Sequence, residues 1–93
     1  MISISNEYTL VRAKIFTFDN ENLLPARVNL YLLTGDERYG CVEIMSDSVS
    51  VPDGVVLIGV GPRSTIDELW DQAMVVIKQR FLDSSIYIRN VVK

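Results

Sequence analysis

The sequence predicts an α+β fold: a single antiparallel or mixed sheet of five or six strands, with one amphipathic helix packed on one face. Three observations predict it. Several short segments alternate apolar and polar residues, one segment alone has helical spacing, and a proline-glycine turn separates two apolar runs. The predicted order is β-β-β-β-β-α-β, and 93 residues fit one small domain, residues 1–93.

The first half of the chain predicts three strands. Residues 7–18 and 26–34 alternate with a period of two on either side of a polar turn, and residues 41–45 alternate again after a glycine-flanked loop. The aliphatic side of the first two strands, which we expect to lie under the helix, consists of Val11, Ala13, Ile15, Val28, Leu30 and Leu32. The opposite side then carries Arg12, Lys14, Phe16, Phe18, Tyr31 and Leu33.

A tight hairpin is predicted around residues 52–54. Pro52 presets the first turn angle, and Gly54 supplies a positive φ between short strands at residues 49–51 and 55–60. Because residues 55–60 are apolar on both sides, we expect that strand to lie in the middle of the sheet.

One helix is predicted, over residues 65–82. Its apolar stripe, with three- and four-residue spacing, consists of Ile66, Leu69, Trp70, Ala73, Met74, Ile77 and Phe81. Thr65 and Glu68 form a candidate capping box at its start. A final strand at residues 86–92 is expected to run parallel to residues 55–60 after a crossover connection.

Composition excludes several classes of function. The sequence has no histidine and one cysteine, Cys41, which removes Ser-His and Cys-His catalytic pairs and histidine-ligated metals. We therefore expect no enzymatic activity, no cofactor and no metal site. The net charge of -3 and the pI near 4.7 argue against nucleic-acid binding. The sequence lacks a signal-peptide pattern and a membrane-length apolar run, so we expect a cytoplasmic protein.

Two further groups of residues could form an anion site or a metal site. The turn from residue 59 to residue 65 could hold an anion at the helix start, through Gly59, Gly61, Arg63, Ser64 and Thr65. It lacks the third glycine of a dinucleotide motif and the glycine-lysine pair of a P-loop, so a capped strand-to-helix turn is the favoured interpretation. The acidic residues Asp19, Glu21, Asp36, Glu37 and Glu43 match no calcium-loop spacing, and Cys41 is interpreted as a small buried hydrophobe.

The aromatic and basic residues on the side of the strands opposite the aliphatic set predict a protein-binding surface. The candidate partner-binding residues are Arg12, Lys14, Phe16, Tyr31 and Tyr87. A rival surface is the acidic first turn of the helix, with Asp67, Glu68 and Asp71.

These features predict a non-enzymatic protein-binding module, a small acidic inhibitor or antagonist of a larger macromolecule in the style of immunity or phage anti-defence proteins. The alternatives are an oligomeric small-molecule binder that captures an anionic or nucleotide ligand at residues 59–65, and an assembly subunit whose sheet forms a homo-oligomer.

Overall fold

The computed structural model describes residues 7–34, 39–59 and 65–92, which form five strands and one helix. The elements in chain order are β1 (Glu7–Phe18), β2 (Ala26–Thr34), β3 (Tyr39–Met45), β4 (Gly54–Gly59), α1 (Ile66–Asp83) and β5 (Ile88–Val92). The sheet has the order β4-β3-β2-β1-β5, and every neighbouring pair is antiparallel. The predicted α+β fold, one sheet with one helix, is confirmed.

The core lies between the sheet and α1. Leu69, Trp70, Ala73, Ile77 and Phe81 of the helix are buried as predicted, whereas Ile66, in the first helical turn, remains exposed. The aromatic rings of the core meet edge to face, which is the arrangement favoured by their quadrupoles. These edge-to-face pairs are Phe16 with Trp70, Phe16 with Phe81 and Phe18 with Phe81.

The predicted orientation of β1 is wrong. Phe16 and Phe18 point into the core, whereas Ile15 on the opposite side is exposed. The register of β1 with β2 shifts between Leu10 and Arg12, so the alternation changes phase at Val11. Burial of two phenylalanines removes more apolar surface from water than burial of an alanine and an isoleucine would, which favours the observed orientation. For β2 the prediction is confirmed, since Val28 and Leu30 are fully buried.

β4 lies at an edge of the sheet and not in its middle. Within the described residues it pairs only with β3, and Val55 and Leu57 are exposed. The predicted strand at residues 49–51 is also absent, because residues 46–53 form a longer connection between β3 and β4. The positive φ predicted for Gly54 is confirmed at 120°.

β5 also has a different neighbour from the predicted one. It pairs antiparallel with β1 at the other edge of the sheet, with Phe16 opposite Val91, and makes no pair with β4. The helix therefore carries the chain from one edge of the sheet to the other.

Local contacts hold the helix in this position. The hydroxyl of Thr65 accepts a hydrogen bond from the backbone N–H of Glu68 at 3.2 Å, which confirms the predicted N-terminal cap. Near the other end, the guanidinium of Arg80 donates to the carbonyl oxygen of Asp53 at 3.2 Å. This bond ties α1 to the start of β4.

Candidate functional site

The sheet has α1 on one side only, and its other side carries an unusual mixture of polar and apolar groups. We call this side the open face. Residues paired directly across antiparallel strands share a face, so the register defines its members. They are Leu10, Ala13, Ile15 and Thr17 of β1, Arg27, Asn29 and Tyr31 of β2, Cys41, Glu43 and Met45 of β3, Val55 and Leu57 of β4, and Asn90 and Val92 of β5.

A hydrogen-bonded network occupies the centre of the open face. Arg27 donates from Nε to Oδ1 of Asn29 at 3.0 Å, and Asn29 donates from Nδ2 to Oε1 of Glu43 at 3.2 Å. The Tyr31 hydroxyl donates to the same carboxylate oxygen at 3.3 Å. Asn29, on the central strand, is only 4% exposed. The four side chains therefore form one connected polar cluster, the central network.

Strand periodicity produces this cluster. Arg27, Asn29 and Tyr31 alternate along β2 with residues that face the helix, so all three point to the open side. The β2–β3 register places Glu43 directly opposite Asn29. Because the side chains of directly opposed residues lie within contact distance, the carboxylate meets the amide.

Large apolar side chains flank the central network on both sides. On the β1 and β5 flank they are Leu10, Ile15 and Val92, and on the β3 and β4 flank they are Met45, Val55 and Leu57. All six are exposed, and Leu57 reaches 68%. Single exposed aliphatic residues are ordinary on a protein surface, but neighbouring ones, such as Ile15 with its direct partner Val92 and Val55 with Leu57, are typical of interaction sites.

Two open recesses lie on the β3 and β4 half of this face. One, of about 530 Å³, is lined by Tyr31, Cys41, Glu43, Val55 and Leu57. The other, of about 560 Å³, lies beside it and shares Glu43 and Val55 in a mixed polar and apolar lining. Together they make the surface uneven without enclosing a deep pocket.

Two titratable groups in the first recess have altered proton affinities. Burial, followed by the negative charge of Glu43, raises the pKa of the Cys41 thiol. Burial also raises the pKa of Tyr31, and the charge of Glu43 together with the hydrogen bond to it adds to the effect. Both groups are therefore neutral at physiological pH. Among the described residues, the charged side chains at these two recesses are Arg27 and Glu43, together with Asp47 and Asp53 in the second recess.

The structure separates the predicted partner-binding residues. Tyr31 lies in the central network, but Phe16 is fully buried in the core. Arg12 lies on the helix side, where its guanidinium is 2.6 Å from the carboxylate of Asp67 and 5.8 Å from the ring centroid of Trp70. The predicted set therefore does not form one surface.

The remaining two members of that set lie elsewhere. Lys14 pairs with Val28 on the helix side of the sheet. Tyr87 is 60% exposed and precedes β5, where it lines a smaller recess with Leu82 and Ile86 beside the end of α1. Neither residue adjoins the central network.

The predicted anion site is only partly described. Gly61, Arg63 and Ser64 lie outside the described residues, and Gly59 ends β4. Thr65 caps α1, and its hydroxyl also lies 3.2 Å from Oε1 of Glu68. Its described contacts are those of a helix cap.

The acidic residues of the sequence do not form a cluster in the described part of the chain. Within those residues, no three Asp, Glu, Cys or His side chains lie close enough to hold a metal ion. Asp36 and Glu37 lie outside the described ranges. Of the acidic residues considered from the sequence, Glu43 is the one that the structure places in the candidate site.

Across residues 7–34, 39–59 and 65–92, no helix is both long enough and apolar enough to cross a bilayer. Comparison with known proteins gives no match: no family model matches the chain, and no curated protein or solved structure is significantly similar to it. The geometry of the open face is therefore the basis for inferring function.

Proposed function

We propose that this protein is a non-enzymatic protein-binding module and that the open face is its binding surface. The observation that carries the proposal is the set of six exposed apolar side chains around a hydrogen-bonded centre. Burial of these side chains against a partner would remove apolar area from water, at roughly 25 cal/mol for each square ångström. The central network would keep its polar groups satisfied when water leaves, which avoids the desolvation penalty of unpaired groups.

The shape and charge of the surface favour a protein as the ligand. Small-molecule sites are concave and enclose most of the ligand, whereas this face is broad and its recesses are open. A nucleic acid would require several cationic side chains, whereas the recess that contains Arg27 is also lined by the carboxylates of Glu43, Asp47 and Asp53. A protein surface of matching shape could cover a broad, open face and would not require that face to be cationic.

The proposal includes a role as a cytoplasmic inhibitor or antagonist of a larger macromolecule. A chain of 93 residues without histidine has few catalytic options, and binding is the activity that its exposed surface supports. Its single cysteine is buried, which suits a reducing compartment.

Capture experiments with matched variants test the proposal. Leu57→Lys places a charge on the open face, and Val75→Lys places the same charge on a comparably exposed position of α1, at 68% and 71% exposure. Immobilised wild-type protein and Val75→Lys should retain the same protein from a lysate of the native host, or untagged copies of the chain, and Leu57→Lys should lose it. Equal capture by both variants would contradict the proposal.

A third variant tests the rival acidic surface at the start of α1. Reversal of Asp67 and Asp71 to lysine should leave capture unchanged if the open face binds the partner. Loss of capture by this variant, together with retention by Leu57→Lys, would assign binding to the helix instead.

A further inference from the structure

We infer that the outer edge of β4 binds an extended segment of a partner protein, which adds to the sheet beside β4 and places a basic side chain at the start of that strand. This inference rests on the proposed function, because it names the kind of segment that covers the β3 and β4 half of the open face. Three properties of β4 support it: its backbone edge, its exposed side chains and the charge of the recess at its start.

The backbone of β4 has a neighbour on one side only. Within residues 7–34, 39–59 and 65–92, it pairs with β3 and lies at the end of the sheet. Alternate N–H and C=O groups of β4 bond to β3, so the remaining groups point outward. These outward groups repeat at the spacing of an extended chain, and the ligand that matches this spacing is another extended chain.

The sequence of β4 lacks the features that commonly protect an edge strand. Residues 55–58 include neither a charged side chain nor a proline, and Val55 and Leu57 are exposed on the open face. The other edge strand, β5, carries the exposed side chains of Arg89 and Asn90. Charged residues on an edge oppose the addition of another strand. Of the two edges, β4 is therefore the one that favours a strand from a partner.

The side chains along this edge indicate apolar residues in the partner. Val55 and Leu57 are two residues apart and lie on the same side of β4, so they contact alternate side chains of an added strand. Apolar residues at these two positions of the partner would remove both exposed side chains from water. Two positions further towards the start of β4, the added strand reaches Asp53.

The recess at the start of β4 favours a cation. It has a volume of about 560 Å³, and its lining includes the carboxylates of Glu43, Asp47 and Asp53 with one guanidinium, that of Arg27. Three carboxylates against one guanidinium give the recess an excess of negative charge. Such an excess attracts a basic partner and repels an acidic one. The charge therefore identifies lysine or arginine as the partner residue beside Asp53.

The direction of the added strand sets the order of these residues. Every neighbouring pair in the sheet is antiparallel, and antiparallel pairing is slightly more stable per residue than parallel pairing. An antiparallel segment reaches Leu57 first, then Val55 and then Asp53. Its expected pattern from the N-terminal end is therefore apolar, any residue, apolar, any residue, basic.

Titration of the full chain with synthetic peptides tests the inference. The peptide Ser-Thr-Val-Thr-Val-Thr-Arg-Ser has the expected pattern, and a matched peptide has glutamate in place of arginine. NMR spectra of the isotope-labelled protein with each peptide at millimolar concentration give the affinity and the amide groups that shift. The arginine peptide should shift the amide signals of β4, and the glutamate peptide should bind at least about tenfold more weakly.

Two further peptides test whether the backbone is paired. Each carries N-methyl groups on one of the two alternate sets of backbone nitrogens in the arginine peptide. One set faces β4 and the other faces solvent, so one methylated peptide should bind at least about tenfold more weakly and the other should keep its affinity. When the arginine peptide is bound, the outward amides of residues 55–58 should also exchange hydrogen more slowly, and those of β5 should not.

Matched variants locate the site on the protein. Asp53→Asn should weaken binding of the arginine peptide by about threefold, and Asp71→Asn, which removes the same charge from an exposed position of α1, should leave it unchanged. Leu57→Lys should weaken binding by about tenfold or more, because it adds a like charge to the edge, and Val75→Lys on α1 should not. Circular dichroism should show the same helix and strand content in all variants.

Several results would overturn the inference. They are an arginine peptide that does not bind, signal shifts that leave out β4, equal affinity of the arginine and glutamate peptides, and equal affinity of the two methylated peptides. The methylated peptides and the hydrogen exchange use the wild-type chain, so they decide the question even if a variant fails to fold.

Protein capture judges the proposed function separately. A partner that is captured by the wild-type chain and lost in Leu57→Lys leaves the proposed function standing, even where the peptides overturn the inference. Equal capture by Leu57→Lys and Val75→Lys, without binding of the arginine peptide, contradicts both.

Discussion

The side-chain amide of Asn29 donates a hydrogen bond to Oε1 of Glu43 at 3.2 Å, directly across the β2–β3 pair. The same amide accepts a hydrogen bond from Nε of Arg27. Asn29 is thus the residue through which the guanidinium and the carboxylate are joined. Because Asn29 is nearly inaccessible to water, its own amide depends on these protein partners for its hydrogen bonds.

Asn29→Ala should destabilise the protein by about 1–3 kcal/mol, since it leaves Arg27 without its acceptor and removes one donor from Glu43. Asn90→Ala is the matched control, because Asn90 is on the same face but exposed. It should change the free energy of unfolding by less than about 0.5 kcal/mol. Urea unfolding of the two variants measures both values, and equal losses would show that the central network contributes little.

Phe16→Ala and Ile15→Ala test the orientation of β1. Phe16 is fully buried against Trp70 and Phe81, so its truncation should cost about 3–5 kcal/mol. Ile15 is adjacent in sequence but exposed, and its truncation should cost about 1 kcal/mol or less. Denaturant unfolding at low protein concentration gives both numbers. A larger loss for Ile15→Ala would reverse the assignment of the two faces.

Arg12→Ala should have a small effect on stability and none on binding by the open face. Its ion pair with Asp67 is on the surface, where such pairs contribute about 0.2–1 kcal/mol, and its position over Trp70 adds about 0.5–1 kcal/mol. Asp67→Asn removes the ion pair and keeps the contact with the ring, so it should cost less. If Arg12→Ala abolished protein capture as Leu57→Lys is expected to do, Arg12 would belong to the binding surface.

The raised pKa of Cys41 predicts a loss of stability at alkaline pH. The folded state holds the thiol proton to a higher pH than the unfolded state does. The free energy of unfolding should therefore fall as the pH rises from the ordinary pKa of a thiol, about 8.5, to the raised folded value. Urea unfolding across this range should show the fall in the wild-type chain.

Two variants isolate the contribution of Cys41. Cys41→Ala should remove this part of the pH dependence, and Glu43→Gln should reduce it, because the carboxylate charge is the second cause of the raised pKa. An identical pH dependence in wild type and Cys41→Ala would contradict the assignment.

The element boundaries were largely predictable because each depends on a local pattern. The predicted limits of β1 and β2 agree with the structure, and those of α1 agree within a residue. Strand alternation and the helix cap at Thr65 both depend on residues only a few positions apart, so the limits of these elements can be read from the local sequence.

The orientation of β1 was not predictable in the same way. Alternation separates two sets of side chains but does not say which set faces the core, and the irregularity at Val11 changes the phase within the strand. The burial of Phe16 and Phe18 depends on rings contributed by a helix much later in the sequence.

The central network was missed because it depends on register. Arg27, Asn29 and Tyr31 could be placed on one side of β2 from the sequence, but the position of Glu43 opposite Asn29 follows from strand pairing through a connection of several residues. The exposed flank on β4 was missed for a related reason. An uninterrupted apolar run predicts burial on both sides, and this strand instead lies at an edge with Val55 and Leu57 facing outward.

The pairing of the last strand with the first has a consequence for how the chain folds. Phe16 and Val91 are direct partners although more than seventy residues separate them in sequence. The β1–β2–β3–β4 meander can form from local hairpins, but β1 gains its second neighbour only after α1 has crossed the sheet. Contacts of such long sequence separation slow folding. During synthesis, the outer edge of β1 therefore stays without its partner until residues 88–92 leave the ribosome, and until then that edge is open to mispairing.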